Sequence, residues 1–238
     1  MISTLDDRVI AIAGVGGGLG PVVAQRLAAA GATVAGTDRS QDHLDSLAAD
    51  LDLPSERWDG RVVDLLDEDA TRGWCAALVE RFGHVDGLVH LVGGWRGGQP
   101  LHEAPLSDWD LLHDLLVRTV QHTTRAFHDQ LAAGERGRFV LVSAKQAQNP
   151  SNANAAYASA KAAAEAWTLA LADGFEPGGA TANIIVVEAI LTSRMREENS
   201  DEEYPTFTPA EDIAEAIAYL CSDAAKKMNG QRFALTMR

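Results

Sequence analysis

Short apolar runs alternate along the chain with longer stretches of helical periodicity. Residues 9–13 form a continuous apolar run that ends in glycines, the pattern of a strand buried on both faces. Residues 20–30 follow with helical spacing and good helix formers, and Gly31 punctuates. The same alternation predicts strands at 33–37, 61–63, 87–92, 138–142 and 181–187, and helices at 41–51, 67–82, 107–131 and 155–173. Ser107 is the expected N-cap of the helix from 107, with acidic residues in its first turn. A charge-rich loop runs on to Tyr204. Thr208-Pro209-Ala210-Glu211 then reads as a helix start, with Thr208 as N-cap, Pro209 in the first helical position and Glu211 in the capping-box place. Residues 232–236 are expected as a seventh, edge strand. Strands that alternate with helices predict βαβ units, right-handed crossovers and a parallel sheet covered on both faces, a doubly wound α/β fold. No internal repeat, low-complexity tract or linker divides the 238 residues, so one domain is expected over residues 1–238.

Composition narrows the function classes. With 46% hydrophobic and 23% charged residues the chain reads as an ordinary globular protein. A net charge of -14 lacks the basic footprint that nucleic acid or an anionic membrane surface requires. No apolar run approaches the roughly 20 residues needed to span a bilayer. The acidic residues before the first apolar run do not make a signal peptide. Cys75 and Cys221 fit no metal-ligand spacing and read as free thiols in a reducing compartment. A cytoplasmic protein without nucleic-acid or membrane partners is the expectation. His43, His84, His90, His102, His113, His122 and His128 show no ligand spacing with a carboxylate, so no metal is expected. The acidic run at 197–203 reads as a solvated loop.

The first strand ends in Gly14, Gly16, Gly17, Gly18, Leu19 and Gly20. A strand before it, a helix after it and an acidic residue closing the next strand meet the context of a dinucleotide-binding turn. Glycines let backbone approach a pyrophosphate closely, and the helix N-terminus turns unpaired N–H groups toward it. Asp38 is the expected ribose partner: a carboxylate there accepts from the adenosine hydroxyls and repels a 2′-phosphate. Arg39 directly after it could complex such a phosphate, or be a solvated loop residue. NADH is therefore the favoured cofactor, with NADPH open.

Tyr157 and Lys161 lie four residues apart in the alanine-rich helix and so share a face. A neighbouring ammonium favours the phenolate and is expected to lower the Tyr157 pKa toward neutrality. That predicts a general acid–base pair.

The Gly14-x-x-x-Gly18-x-Gly20 turn, Asp64 after the third strand and Tyr157-x-x-x-Lys161 together resemble the short-chain dehydrogenase/reductase family over essentially the whole chain. The resemblance implies that Tyr157 moves the proton and Lys161 binds the nicotinamide ribose. It implies cofactor contacts from Asp64 and Leu65 near the adenine, from Val92, Gly93 and Gly94, and from Ile190 and Thr192. It also implies a substrate lid at about 191–207, and a homodimer or homotetramer built on the helices around 107–131 and 155–173. Ala155, Ala156, Ala160, Ala163 and Ala164 would allow close packing there.

The chain departs from the family pattern at several points. His90-Leu91-Val92-Gly93 stands where the family has Asn-Asn-Ala-Gly. Ala144 stands thirteen residues before the tyrosine, where the family has a catalytic serine, and Ser143 is one place early and should point elsewhere. The family asparagine falls near Leu116, and Val187-Glu188 replaces Pro-Gly. The loop 93–98 (Gly-Gly-Trp-Arg-Gly-Gly), Ala144-Lys145, and residues 191–209 with Met195, Phe207, Thr208 and Pro209 resemble the dihydropteridine reductase branch, which also lacks the serine. On that resemblance the small-molecule substrate is a planar, conjugated dihydropterin, met by Trp95, Ala144, Lys145 and Tyr157. Trp95 could stack on it or simply pack the loop, and Lys145 could assist or be a surface lysine. A divergent ketone or alcohol oxidoreductase and a non-catalytic NAD-binding regulator are the alternatives.

Overall fold

A computed structural model describes residues 4–199 and 201–236; residues 1–3, Ser200 of the acidic run and residues 237–238 lie outside the described residues. Seven strands form one sheet: β1 (Val9–Ala13), β2 (Thr33–Asp38), β3 (Trp58–Val62), β4 (Gly87–His90), β5 (Arg138–Ala144), β6 (Thr181–Val187) and, at the edge, a short strand at Arg232–Ala234. That last strand is β9, because two short strands, β7 (Ala189–Leu191) and β8 (Phe207–Pro209), precede it and pair with each other. The order is β3-β2-β1-β4-β5-β6-β9, and every pairing is parallel. The doubly wound α/β expectation holds. The order reverses between β1 and β4, and in open parallel sheets ligands bind at the carboxyl ends of strands flanking such a switch.

Helices cover both faces. One layer holds α1 (Gly20–Ala29), α2 (Gln41–Leu51) and α8 (Ala210–Leu220), which pack with Ile10, Ile12, Val140 and Ile185 from the sheet. The other holds α3 (Glu68–Phe82), α5 (Thr119–Ala132) and α6 (Ala155–Phe175), over Val9, Ala11, Phe139 and Ile184. Successive side chains of each strand enter opposite layers, so a strand buried on both sides reads as an unbroken apolar run. β5 and β6 are buried at every residue. α4 (Leu106–His113) and α7 (Ser193–Glu198) complete the set.

Several boundaries differ from the sequence reading. β3 begins at Trp58 rather than 61, β4 stops at His90 rather than 92, β5 runs on to Ala144, and β9 stops at Ala234. The helix expected from Ser107 starts at Leu106, and Pro105 occupies the cap with extended backbone (φ -61°, ψ 133°) and no side-chain bond, so Ser107 is not the N-cap. That helix is also interrupted by a π turn at Asp114–Arg118 before α5 begins. Thr208 is not a cap either: its hydroxyl donates to Leu235 O, and Pro209 takes the cap position of α8. The stretch after β6, expected as loop, contains β7 and α7, the latter capped by Thr192.

Both cysteines are buried free thiols. Among the described residues no group of three or more His, Cys, Asp or Glu side chains could hold a metal ion, and no helix is long and apolar enough to cross a membrane.

Candidate active site

A cavity of about 710 Å³ opens at the carboxyl ends of the strands. It is lined from below by the glycine turn, on one side by Asp38, Arg39, Asp64 and Leu65, and on the other by Tyr157 and Lys161. Val92, Gly93, Gly94, Trp95, Ala144, Ile190 and Thr192 line it as well. Two expected residues do not: Gly16 and Lys145.

The glycine turn is built by close packing. Gly14 has φ +83°, a backbone geometry that L side chains rarely adopt, and a Cβ there would meet Val92 at 3.0 Å. A Cβ on Gly20 would run into the Val15 carbonyl. α1 then starts with Pro21 in its first turn, no acidic residue there and no side-chain cap on Leu19. Gly20 N donates to Gly17 O at 3.0 Å and Pro21 has no N–H, so what the start of α1 offers an anion is the positive end of its dipole, beside the glycine backbone ahead of it. Gly16 serves differently from the expectation: its N–H donates to Asp38 Oδ2 at 3.2 Å. Asp38 Oδ1 accepts from Ser40 N at 2.9 Å and lies 3.1 Å from His43 Nδ1. The Asp38 carboxylate is therefore fixed from three sides. His43, exposed on α2, had no signal in the sequence beyond its distance from Asp38 along the chain. Arg39 is exposed at the rim. Turn, helix N-terminus and acidic closer fit a dinucleotide.

On α6, Tyr157 and Lys161 do share a face, with the ammonium 6.0 Å from the phenol ring centre. The electrostatics run opposite to expectation. Burial pushes the Tyr157 phenol up to about 12, and Lys161 does not reverse this. Lys161 is itself buried, and burial pulls it down to about 8 against the raising effect of Glu165. Its Nζ donates to Val142 O at 3.0 Å. Spacing revealed the shared face but not the desolvation, which favours the neutral form of both groups.

The wall beside them lacks the family hydroxyl. Ala144 is buried with no polar side chain, and Ser143, on the opposite pleat, donates to Glu165 Oε1 at 2.6 Å. Near the family asparagine, Leu116 is buried with Leu112, Val117 and Ala160, while Leu115 and Thr119 reach the cavity. His90 takes the place of the other asparagine: its ring nitrogens lie 3.1 Å from Thr119 Oγ1 and 3.2 Å from Thr123 Oγ1, and burial pulls it down to about 3, so it is neutral. Lys145 pairs with Glu188 at 3.1 Å outside the cavity, whereas Glu188 is in its lining. Gln146, not singled out in the sequence, is also in the lining, and its buried Oε1 has no hydrogen-bond partner. Trp95 is 57% exposed at the mouth. Of the helix alanines, Ala160 and Ala164 are buried within the chain, so only the remaining ones could meet a second copy.

Residues 14–236 match the family model described as Enoyl-(Acyl carrier protein) reductase. The chain is 28% identical over 235 residues to (2S)-[(R)-hydroxy(phenyl)methyl]succinyl-CoA dehydrogenase subunit BbsD of Thauera aromatica, covering 95% of this chain and 94% of that protein. It is 26% identical over 236 residues to 7alpha-hydroxysteroid dehydrogenase of Escherichia coli, covering 95% and 92%. Among solved structures it superposes on a short-chain type dehydrogenase/reductase from Mycobacterium ulcerans with a TM-score of 0.89 and 26% identity, covering 98% of this chain and 89% of that one. A short chain dehydrogenase from Burkholderia cenocepacia in complex with NADP gives 0.84 and 28%, covering 97% and 96%. With the family pattern running from the glycine turn to the last strand, the chain belongs to the short-chain dehydrogenase/reductase family of NAD(P)-dependent oxidoreductases.

Proposed function

We propose that the protein is an NADH-dependent reductase of a planar, conjugated, dihydropterin-like substrate, working in the cytoplasm with Tyr157 as proton donor. One observation carries this reading: Tyr157 and Lys161 share a cavity with the glycine turn and Asp38, and in its lining Ala144 stands at the family serine position while the neighbouring Ser143 hydroxyl donates to Glu165. Bound NADH supplies the hydride. Asp38, held by Gly16 N and Ser40 N, keeps its carboxylate on the adenosine hydroxyls and repels a 2′-phosphate. Lys161 binds the nicotinamide ribose and offsets the charge left on Tyr157. With its pKa near 12, the Tyr157 phenol is fully protonated at neutral pH and can donate as charge builds on the substrate.

The missing serine supports a conjugated substrate over a simple ketone. A ketone develops charge on one oxygen and needs a donor aimed at it, whereas a conjugated imine spreads that charge over nitrogen and ring. Trp95 at the mouth offers a flat apolar face for stacking. Residues 191–207, with Ile190 and Thr192 at their root, would close over it. The decisive assay is quinonoid dihydropterin with NADH against a panel of simple ketones. Turnover of ketones without turnover of the pterin overturns the pterin reading.

The names of the relatives, dehydrogenases of hydroxylated substrates, favour a second reading: oxidation of an alcohol or reduction of its ketone. The same panel separates the two. The α5 and α6 face, where Arg125, His128, Trp167 and Leu171 border a shallow cavity of about 530 Å³, is the surface we assign to a homodimer or homotetramer. A monomeric mass by light scattering would exclude that.

A further inference from the structure

The chain holds only four lysines, and Lys161 alone among them is buried. Its hydrogen-bond partner is a main-chain carbonyl, that of Val142, which satisfies the proton but supplies no full countercharge. One turn further along the same face of α6 lies Glu165, 2% exposed. Residues four apart on a helix are neighbours, about 5–6 Å between Cβ atoms. The Glu165 carboxylate is fully engaged: Oε1 accepts from Ser143 Oγ at 2.6 Å, and Oε2 accepts from Arg232 Nε at 2.6 Å and Gln148 Nε2 at 3.4 Å. Adjacent residues of β5 thus grip adjacent turns of α6, Val142 through Lys161 and Ser143 through Glu165.

A buried carboxylate with no role is costly, because desolvating it is repaid only by tight partners. Here the hydroxyl that sits one place before the family serine position is spent on it. We propose that Glu165 is a positioning residue for the reaction: gripped by Ser143 and Arg232, it is the fixed countercharge that keeps Lys161, on its Val142 anchor, in the ammonium form. This rests on the reading of Lys161 as a working partner of Tyr157.

The charged and titratable groups around Lys161 are few. Tyr157 and Glu165 come from α6 itself, and His90, neutral, comes from β4. Arg232 from β9 stands behind Glu165. Glu188, after β6, is in the lining of the same cavity and is paired with Lys145. With Tyr157 and His90 uncharged near neutral pH, Glu165 is the anion one turn away on the helix face that Lys161 occupies.

The test reads Lys161 directly, by carbon NMR titration of protein labelled with 13C-lysine. Four ε-methylene signals are expected, and Lys161→Met assigns the one of interest. In the unaltered protein Lys161 is expected to titrate near 8. In Glu165→Gln its midpoint is expected to fall by about one pH unit, since a nearby opposite charge favours the charged form. In Arg232→Met, where Glu165 loses its offsetting cation, the midpoint is expected to rise. An unchanged midpoint in Glu165→Gln overturns the proposal. Should that variant fail to fold, an unchanged or lowered midpoint in Arg232→Met overturns it instead. The NMR readout does not need turnover, so failure of the reductase reading would show as an inactive protein whose Lys161 still shifts. Where activity is present, the alkaline limb of kcat/KM should move with the NMR midpoint, and Glu165→Asp should restore part of the shift.

Discussion

Lys161 Nζ and Val142 O are joined by a 3.0 Å hydrogen bond, so the ammonium beside Tyr157 is anchored to the backbone of the strand that carries Ala144. The position of this cation is set by the sheet, not by the phenol. It can therefore stay in place when Tyr157 is altered.

Replacing Tyr157 by phenylalanine removes the proton donor and leaves that anchor intact. The expected loss is about 10²–10⁴-fold in kcat, the usual contribution of a positioned acid. NADH affinity by fluorescence titration should stay within about twofold. A variant as active as the parent would exclude Tyr157 as the donor. Absence of turnover in both forms across the panel would favour a non-catalytic NAD-binding protein.

Asp38→Ala removes the carboxylate held by Gly16 N and Ser40 N. A hydrogen bond to a charged group contributes about 1.5–3 kcal/mol, so the KM for NADH should rise roughly tenfold or more. The KM for NADPH should fall as the repulsion disappears and Arg39 gains a phosphate within reach. Equal KM values for the two cofactors in the unaltered enzyme would contradict the assigned preference.

Ala144→Ser restores a hydroxyl at the family position without large volume change. Ala144 is buried in the cavity wall, with extended backbone that serine adopts readily (φ -126°, ψ 146°). If a missing donor is what disfavours ketones, their kcat/KM should rise by about tenfold or more, in line with the effect of a single oxyanion donor. Turnover of the conjugated substrate should change little. Unimproved ketone turnover would show that the serine is not what limits this site.

His90 provides a pH prediction. It is buried and neutral in the folded protein, with its pKa near 3 against an ordinary 6.5. The unfolded chain therefore binds the extra proton between about pH 6.5 and 3, and the folded state does not. Stability is unaffected by this group above 6.5 and is lost as pH falls through that window. His90→Asn, which can still bond Thr119 and Thr123, should show a smaller fall in Tm between pH 7 and 5 than the parent. Parallel falls in both proteins would place the acid sensitivity elsewhere.

The sequence revealed whatever depends on local periodicity. β1 has the predicted ends because it is an unbroken apolar run, and β6 because residues 184–187 are a β-branched apolar run. The glycine turn, Asp38 and the Tyr157–Lys161 face were legible for the same reason. What was missed depends on neighbours distant in the chain. Ser107 and Thr208 have the right chemistry for caps, but Pro105 sets the start of α4 and Leu235 claims the Thr208 hydroxyl. The π turn at Asp114–Arg118 has no periodic signature, since it inserts a residue into an otherwise regular helix. The sign of the Tyr157 shift was missed because spacing shows the ammonium and not the burial. Alternation along β5 showed that Ser143 faces away from Ala144, but not that Glu165 from α6 receives it.

The small clasp of β7 and β8 carries an evolutionary consequence. Ala189, Ile190 and Leu191 pair with Phe207, Thr208 and Pro209, so residues 192–206 leave and rejoin the body at a single place. Closing a loop with fixed ends costs little more as it lengthens, about 0.6 kcal/mol for each doubling. If this segment is the substrate lid proposed above, insertions or deletions in it would reshape what enters the cavity while the seven-stranded sheet keeps its register. Substrate range and fold stability are in this way free to diverge under separate selection.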